Sequence, residues 1–244
     1  MCNSRREFLG GVTLGTAAIG LAGVVASSPA LAAQGTPAAV APPPTDLTPD
    51  QALALLEEGN AAFLRGERNS ELTSSQRRLD LATGQAPFAA YVTCSDSRVP
   101  PELLFGRGLG ELFIIRNAGN TVDTVALGSI EYAVGVLGVP LVVVMGHESC
   151  GAVKAALDVV KSNATFPGSI GRMIEPIIPA VLASRGQEGD ELDNAVRANV
   201  RRVVDQLRNQ TDPLMQKPLG EGRLKVVGAR YDLDTGQVDF FDRG

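Results

Sequence analysis

Two short, nearly continuous apolar runs constrain the fold of this chain more than any other feature. They span residues 88–93 (FAAYVT) and 141–145 (LVVVM), and such runs are typical of strands that are covered on both faces, as in a parallel sheet. Further strand-like segments alternate with helical patterns along the chain. This βαβ alternation predicts an α/β fold with a mainly parallel central sheet of four strands, flanked by helices.

The individual elements are predicted from apolar periodicity and from turn residues. Strands are predicted near residues 88–94, 111–115, 140–146 and 224–229, with an antiparallel C-terminal strand near 236–241. Helices are predicted after Thr48, which would cap the first of them, and over residues 74–81, 124–137, 150–161, 169–184 and 190–209. Residues 211–222 contain several Pro and Gly residues and are predicted to form a loop.

Each of the two apolar runs is followed by a cluster of reactive side chains. The sequence CSDSR occupies residues 94–98, and HESCG occupies residues 147–151. Binding sites in open α/β sheets form at the carboxyl ends of the strands. We therefore expect the two clusters to lie at that edge of the sheet.

Cys94, Cys150 and His147, the only histidine in the chain, are candidate ligands for one Zn²⁺ ion. Two thiolates and one imidazole would leave a fourth position for water or for a carboxylate such as Asp96. Cys150 precedes a predicted helix, whose N–H groups and dipole favour a thiolate. The alternative is a Cys94–Cys150 disulfide, which would be common in an exported protein.

Asp96 and Arg98 are close enough in sequence to form an ion pair that fixes the carboxylate. A carboxylate held beside a metal can accept a proton from water and orient the nucleophile. The alternative is a structural ion pair at the surface.

The combined pattern, Cys-x-Asp-x-Arg followed by Gly-His-x-x-Cys-Gly, resembles the β-class carbonic anhydrases. The resemblance continues in the family's order through residues 110–120 and 129–134 and covers about residues 50–241. It implies zinc-dependent, reversible hydration of carbon dioxide to bicarbonate and a proton. It also implies that Asp96 and Arg98 are the catalytic pair, and that Asp96 becomes the fourth zinc ligand in a closed form.

The same resemblance implies five substrate-binding positions and an oligomer. The positions are Gln85, Phe113, Ala118, Tyr132 and Gly151, with Tyr132 contributed by a partner subunit. The family works as a homodimer or a multiple of dimers, in which an N-terminal helical arm embraces the second subunit. Taken singly, Gln85 could be an ordinary loop residue, and the apolar members could be ordinary core residues.

Two other functions are compatible with these residues. Relatives with the same fold hydrolyse carbonyl sulfide or carbon disulfide, and the residues around the site barely distinguish them. A zinc-binding or bicarbonate-binding protein without turnover is the second alternative. The presence of Asp96 and Arg98 argues against it, because a binding protein does not need this pair.

The N-terminus has the pattern of an export signal. Residues 4–9 (SRREFL) form a twin-arginine motif, followed by an apolar run over 10–26 and the small-residue sequence Ala-Leu-Ala at 30–32. We therefore predict a signal peptide at residues 1–32, a Pro/Ala-rich linker at 33–48, a catalytic domain at 49–244, and a periplasmic or other extracytoplasmic location. The alternative is a membrane anchor that stays attached.

Composition excludes some other classes of partner. The net charge is −5, which argues against binding to nucleic acid. After the signal, no segment reaches the roughly 18 consecutive apolar residues of a membrane span. The predicted partner is therefore a small molecule, carbon dioxide or bicarbonate.

Overall fold

The centre of the molecule is a five-stranded sheet. The structure is a computed structural model that describes residues 44–67 and 73–244. The strands are β1 (Ala89–Cys94), β2 (Leu112–Asn117), β3 (Leu141–His147), β4 (Lys225–Tyr231) and β5 (Val238–Asp242). Their order is β2-β1-β3-β4-β5; the first four are parallel, and β5 is antiparallel to β4. The predicted α/β fold is therefore confirmed.

Helices cover both faces of this sheet. They are α1 (Pro49–Leu64), α2 (Ser75–Asp80), α3 (Pro101–Leu104), α4 (Thr124–Gly135), α5 (Gly151–Ser162), α6 (Ile170–Ile174), α7 (Ile178–Ala183), α8 (Glu191–Arg208) and α9 (Pro213–Gly220). None of the helices in the described parts of the chain combines the length and the apolar character needed to cross a membrane. The predicted signal peptide and most of the predicted linker lie outside the described residues.

Two of the predicted elements were wrong in detail. The single helix predicted over 169–184 is α6 and α7, joined by a 3₁₀ turn at Glu175–Ile177, because Pro176 has no N–H to continue the hydrogen-bond ladder. The loop predicted at 211–222 contains α9. Its first turn begins with Pro213 and is capped by Asp212, whose carboxylate accepts a hydrogen bond from Leu214 N at 2.8 Å.

The first helix forms as predicted and packs on the sheet of its own chain. Thr48 and Gln51 form a capping box, with each side chain accepting a hydrogen bond from the other's backbone N–H. Ala52, Leu53 and Leu56 are buried in the same apolar cluster as the sheet. Within the predicted N-terminal arm, α1 therefore covers one face of the sheet, whereas every residue of α2 is exposed or half-buried.

Burial of β3 on both faces explains its continuous apolar sequence. Val143 and Met145 point into the cluster that contains α1, and Val142 and Val144 point into the cluster beneath α4 and α8. A third cluster lies at the carboxyl ends of the strands, where α5, α7 and α8 surround the side chains of the two cysteines. The cysteines are therefore held in a close-packed, apolar setting.

Candidate metal centre

The structure brings Cys94, His147 and Cys150 together. Cys94 is the last residue of β1, His147 is the last residue of the neighbouring strand β3, and Cys150 occupies the N-cap position of α5. Ser149, at φ 54°, lies in the short turn between the histidine and the second cysteine. One ligand atom from each residue lies within 4.8 Å of the others, and all three residues are buried. The two clusters therefore meet at the carboxyl edge of the sheet, as predicted.

The hydrogen bonding of His147 leaves one ring nitrogen available. Its Nδ1 lies 2.8 Å from the carbonyl oxygen of Glu148, so Nδ1 must carry the proton and donate it. In the neutral tautomer with the proton on Nδ1, the lone pair is on Nε2, and this atom is buried without a hydrogen-bond partner among the described residues. An imidazole that is oriented through one nitrogen and open at the other is the usual arrangement of a metal ligand. The donor set of two sulfurs and one nitrogen suits Zn²⁺.

The two cysteines are free thiols in the structure. Their sulfur atoms are 4.0 Å apart, about twice the length of a disulfide bond. The hydrogen bond between them lowers the pKa of Cys94 and raises the pKa of Cys150. The N–H groups at the start of α5 act to lower the pKa of Cys150, as the sequence predicted. The neighbouring Cys94 sulfur raises that pKa by more, so the net shift is upward. A divalent cation between the sulfurs would favour both thiolates.

Asp96 and Arg98 form a two-point ion pair beside this cluster. Arg98 Nε lies 3.0 Å from Asp96 Oδ1, and Arg98 Nη2 lies 2.8 Å from Oδ2. The backbone N–H of Arg98 also donates to Oδ1, at 2.9 Å. These hydrogen bonds hold the pKa of Asp96 well below its usual range. The low pKa keeps this carboxylate ionised. The same Oδ2 atom is 3.9 Å from Nε2 of His147, so the carboxylate faces the candidate ligands.

Sequence reasoning missed two residues that hold the backbone of the site. Arg116, on β2, donates to the carbonyl oxygens of Cys94 at 2.9 Å and Asp96 at 2.6 Å. Asn199, on α8, donates to the carbonyl oxygen of Gly119 at 2.8 Å. The sequence feature that could have identified Asn199 is a polar residue on the predicted apolar face of α8, next to Val200.

The five predicted substrate positions fall into two groups. Ala118 packs in the cluster around the cysteines, and Gly151 directly follows Cys150. Gln85 is exposed in the loop before β1, at the opposite end of that strand from Cys94. Phe113 lies beside Tyr132, with ring centroids 6.2 Å apart.

This second group lies away from the metal cluster of its own chain. Phe113 pairs with Ala90 in the sheet, four residues before Cys94. At about 3.3 Å per residue, this places Phe113 roughly 13 Å along the sheet from the cluster. A single chain therefore does not unite all the predicted substrate positions.

A buried Cys₂His cluster at the carboxyl edge of a parallel sheet defines a candidate metalloenzyme of the α/β class. The family model described as carbonic anhydrase matches residues 89–238. Carbonic anhydrase 2 of Mycobacterium tuberculosis is 41% identical over 191 residues, which cover 78% of this chain and 91% of that protein. The chain belongs to the carbonic anhydrase family.

Solved structures of β-carbonic anhydrases share the fold of this chain. A Coccomyxa β-carbonic anhydrase in complex with acetazolamide is similar with a TM-score of 0.59 and 30% identity, covering 69% of this chain and 78% of that one. A β-carbonic anhydrase from Sordaria macrospora, described as tetrameric, has a TM-score of 0.62 and 26% identity, covering 79% of this chain and 97% of that one. The fold is therefore that of the β class.

Proposed function

We propose that this protein catalyses the reversible hydration of carbon dioxide to bicarbonate and a proton, using one Zn²⁺ ion per chain. The observation that supports this most directly is the unpartnered Nε2 of His147, which is buried beside two thiols in the part of the chain that the structure describes. Cys94, His147 and Cys150 would hold the ion. When bound, Zn²⁺ supplies acidity to a coordinated water, the role that zinc has in carbonic anhydrases.

In this proposal Asp96 accepts the proton and orients the attacking oxygen. Its carboxylate is ionised, because Arg98 holds it through two hydrogen bonds. The ion pair also keeps the carboxylate 3.9 Å from Nε2 of His147. The closed form implied by the family resemblance would require Asp96 to leave Arg98 and turn towards the ligands.

The test is stopped-flow measurement of carbon dioxide hydration by the protein between about pH 6.5 and 9. Zinc per chain is determined on the same sample, and a chelator-treated sample with and without added zinc is the control. We expect about one zinc per chain and activity that disappears and returns with the metal. Zinc without hydration would overturn the proposal and favour carbonyl sulfide or carbon disulfide as substrate, or a binding function.

We also propose that the protein works as a homodimer or a multiple of dimers. Helix α4 and its C-cap residue expose three apolar side chains at helical spacing: Val125, Tyr132 and the C-cap Val136 are 77%, 47% and 61% exposed. The Tyr132 ring lies beside Phe113 at a tilted angle, away from the metal cluster of its own chain. A second copy placed on this face would bring these rings to a metal centre that lacks them.

Substitution of Val136 by aspartate should dissociate this dimer, because burying an unpaired charge in an apolar interface is unfavourable. Sedimentation velocity should show the wild type as a dimer or larger and V136D as a monomer, with hydration lower by roughly 100-fold. Leu182→Asp is the control, because Leu182 is also an exposed apolar residue, 49% exposed, but lies on α7. This variant should assemble and turn over like the wild type. A V136D variant that assembles and turns over like the wild type would contradict the proposed interface.

The predicted twin-arginine signal, its cleavage after residue 32 and the extracytoplasmic location remain predictions from the sequence. The residues that carry them lie outside the described part of the chain.

A further inference from the structure

We infer that Asn199 is a positioning residue for the metal centre. It holds Gly119 in place so that the Gly119 N–H donates a hydrogen bond to the sulfur of Cys94. This inference rests on the proposed zinc site. It adds a role for helix α8, which carries none of the proposed metal ligands. Two contacts and one buried polar group support the inference, and each is a feature of the packed structure.

The first contact is between Gly119 and the candidate ligand. Gly119 N lies 3.4 Å from Cys94 Sγ, and both groups are buried. Gly119 has φ +79°, and a Cβ atom there would lie 2.5 Å from Cδ1 of Ile177 and 3.1 Å from Cβ of Ala152. Only glycine fits this turn without displacing its neighbours, so the direction of the N–H depends on tight packing.

The second contact fixes the other side of the same residue. The side-chain amide of Asn199 donates to the carbonyl oxygen of Gly119 at 2.8 Å, across 80 residues of sequence. Asn199 is 1% exposed, and α8 is a long helix with a packed apolar face. The bond therefore ties the turn after β2 to a rigid element.

The third observation is that Asn199 is a polar residue in an apolar part of the core, where it is unfavourable unless its hydrogen bond has a function. Its neighbours on the same face of α8, Val196, Val200 and Val203, are buried and apolar. The Oδ1 atom of Asn199 is buried without a hydrogen-bond partner among the residues that the structure describes. An unsatisfied buried polar atom is destabilising, and an apolar residue of similar size would avoid it. The amide group is useful here through its bond to Gly119.

A hydrogen bond from an N–H to a thiolate stabilises negative charge on the sulfur. The sulfur would then donate less charge to a bound Zn²⁺, which would make a coordinated water more acidic. This effect is valuable in a site with two thiolates, because they cancel the charge of Zn²⁺. The Asn199–Gly119 pair would therefore move the active range of the enzyme to lower pH.

The experiment compares Asn199→Leu with Asn60→Leu in cobalt-substituted and zinc-loaded protein. Asn60 is a matched control: it is 4% exposed, lies on α1, and bonds through its side chain to the backbone of Leu104, Gly236 and Val238. In N199L we expect bound metal, a sulfur-to-cobalt charge-transfer band at longer wavelength, and a hydration midpoint higher by about half a pH unit. N60L should bind metal with the wild-type spectrum and midpoint.

Unchanged spectrum and midpoint in N199L, or equal shifts in both variants, would overturn the inference. A wild-type protein that binds neither cobalt nor zinc would overturn the proposed metal centre, and the inference with it. If N199L does not fold, cadmium-113-loaded wild-type protein provides an independent test by NMR. A coupling between cadmium and the Gly119 amide proton through Cys94 Sγ is expected, and its absence would contradict the hydrogen bond.

Discussion

Substitution of Cys150 by serine should remove zinc binding and carbon dioxide hydration together. A serine hydroxyl does not ionise near neutral pH, so the site would lose one of its two anionic ligands. Cys150 is fully buried, and serine is nearly isosteric, so the fold should persist. We expect zinc affinity to fall by at least about 100-fold and hydration to fall to the uncatalysed rate.

The measurements are zinc per chain, hydration rate and circular dichroism on the same preparation. Cys2→Ser in the full-length chain is the matched control, because Cys2 is the one cysteine outside the proposed centre. It should retain both zinc and activity. A C150S protein with a full complement of zinc and wild-type turnover would show that the metal, if any, lies elsewhere.

Substitution of Asp96 by alanine should separate metal binding from catalysis. The three candidate ligands remain in place, so about one zinc per chain should still bind. The variant has no carboxylate to accept the proton and orient the nucleophile. A positioned general base contributes roughly 100- to 10,000-fold, and we expect a loss of hydration in that range.

Asp242→Ala is a suitable control for this substitution. Asp242 lies on β5, and its carboxylate pairs with Arg208 at 2.8 Å, so its loss also breaks an arginine–carboxylate pair. D242A should keep both zinc and turnover. If D96A retained the wild-type rate, the proposed base role would be wrong, and the Asp96–Arg98 pair would be structural.

Local sequence patterns were sufficient for much of the architecture and for the candidate ligands. The two β-branched runs predicted buried parallel strands because a strand covered on both faces has no polar side. The chemistry of Cys94, His147 and Cys150 is a property of their side chains, and their positions after two such runs predicted where they would lie. The capping of α1 by Thr48 was likewise readable, because it involves residues only three apart.

The remaining features depend on packing between distant parts of the chain. The break at Pro176 and the start of α9 are exceptions, because Pro176, Asp212 and Pro213 are local signals that were misread. The tautomer of His147 is set by a carbonyl oxygen whose direction depends on the folded turn. The separation of Phe113 and Tyr132 from the cluster of their own chain follows from the register in which β1 and β2 pair, which no local pattern specifies.

The sequence by itself therefore determined the α/β class, the edge of the sheet that carries the site and the three ligands that could bind zinc. Only the tertiary structure decided how those ligands are held. Arg116, Gly119 and Asn199 act through hydrogen bonds to backbone or sulfur atoms of residues up to 80 positions away. Such hydrogen bonds produce no periodic pattern in a sequence. They depend on the distance and direction between atoms that come together only when the chain folds.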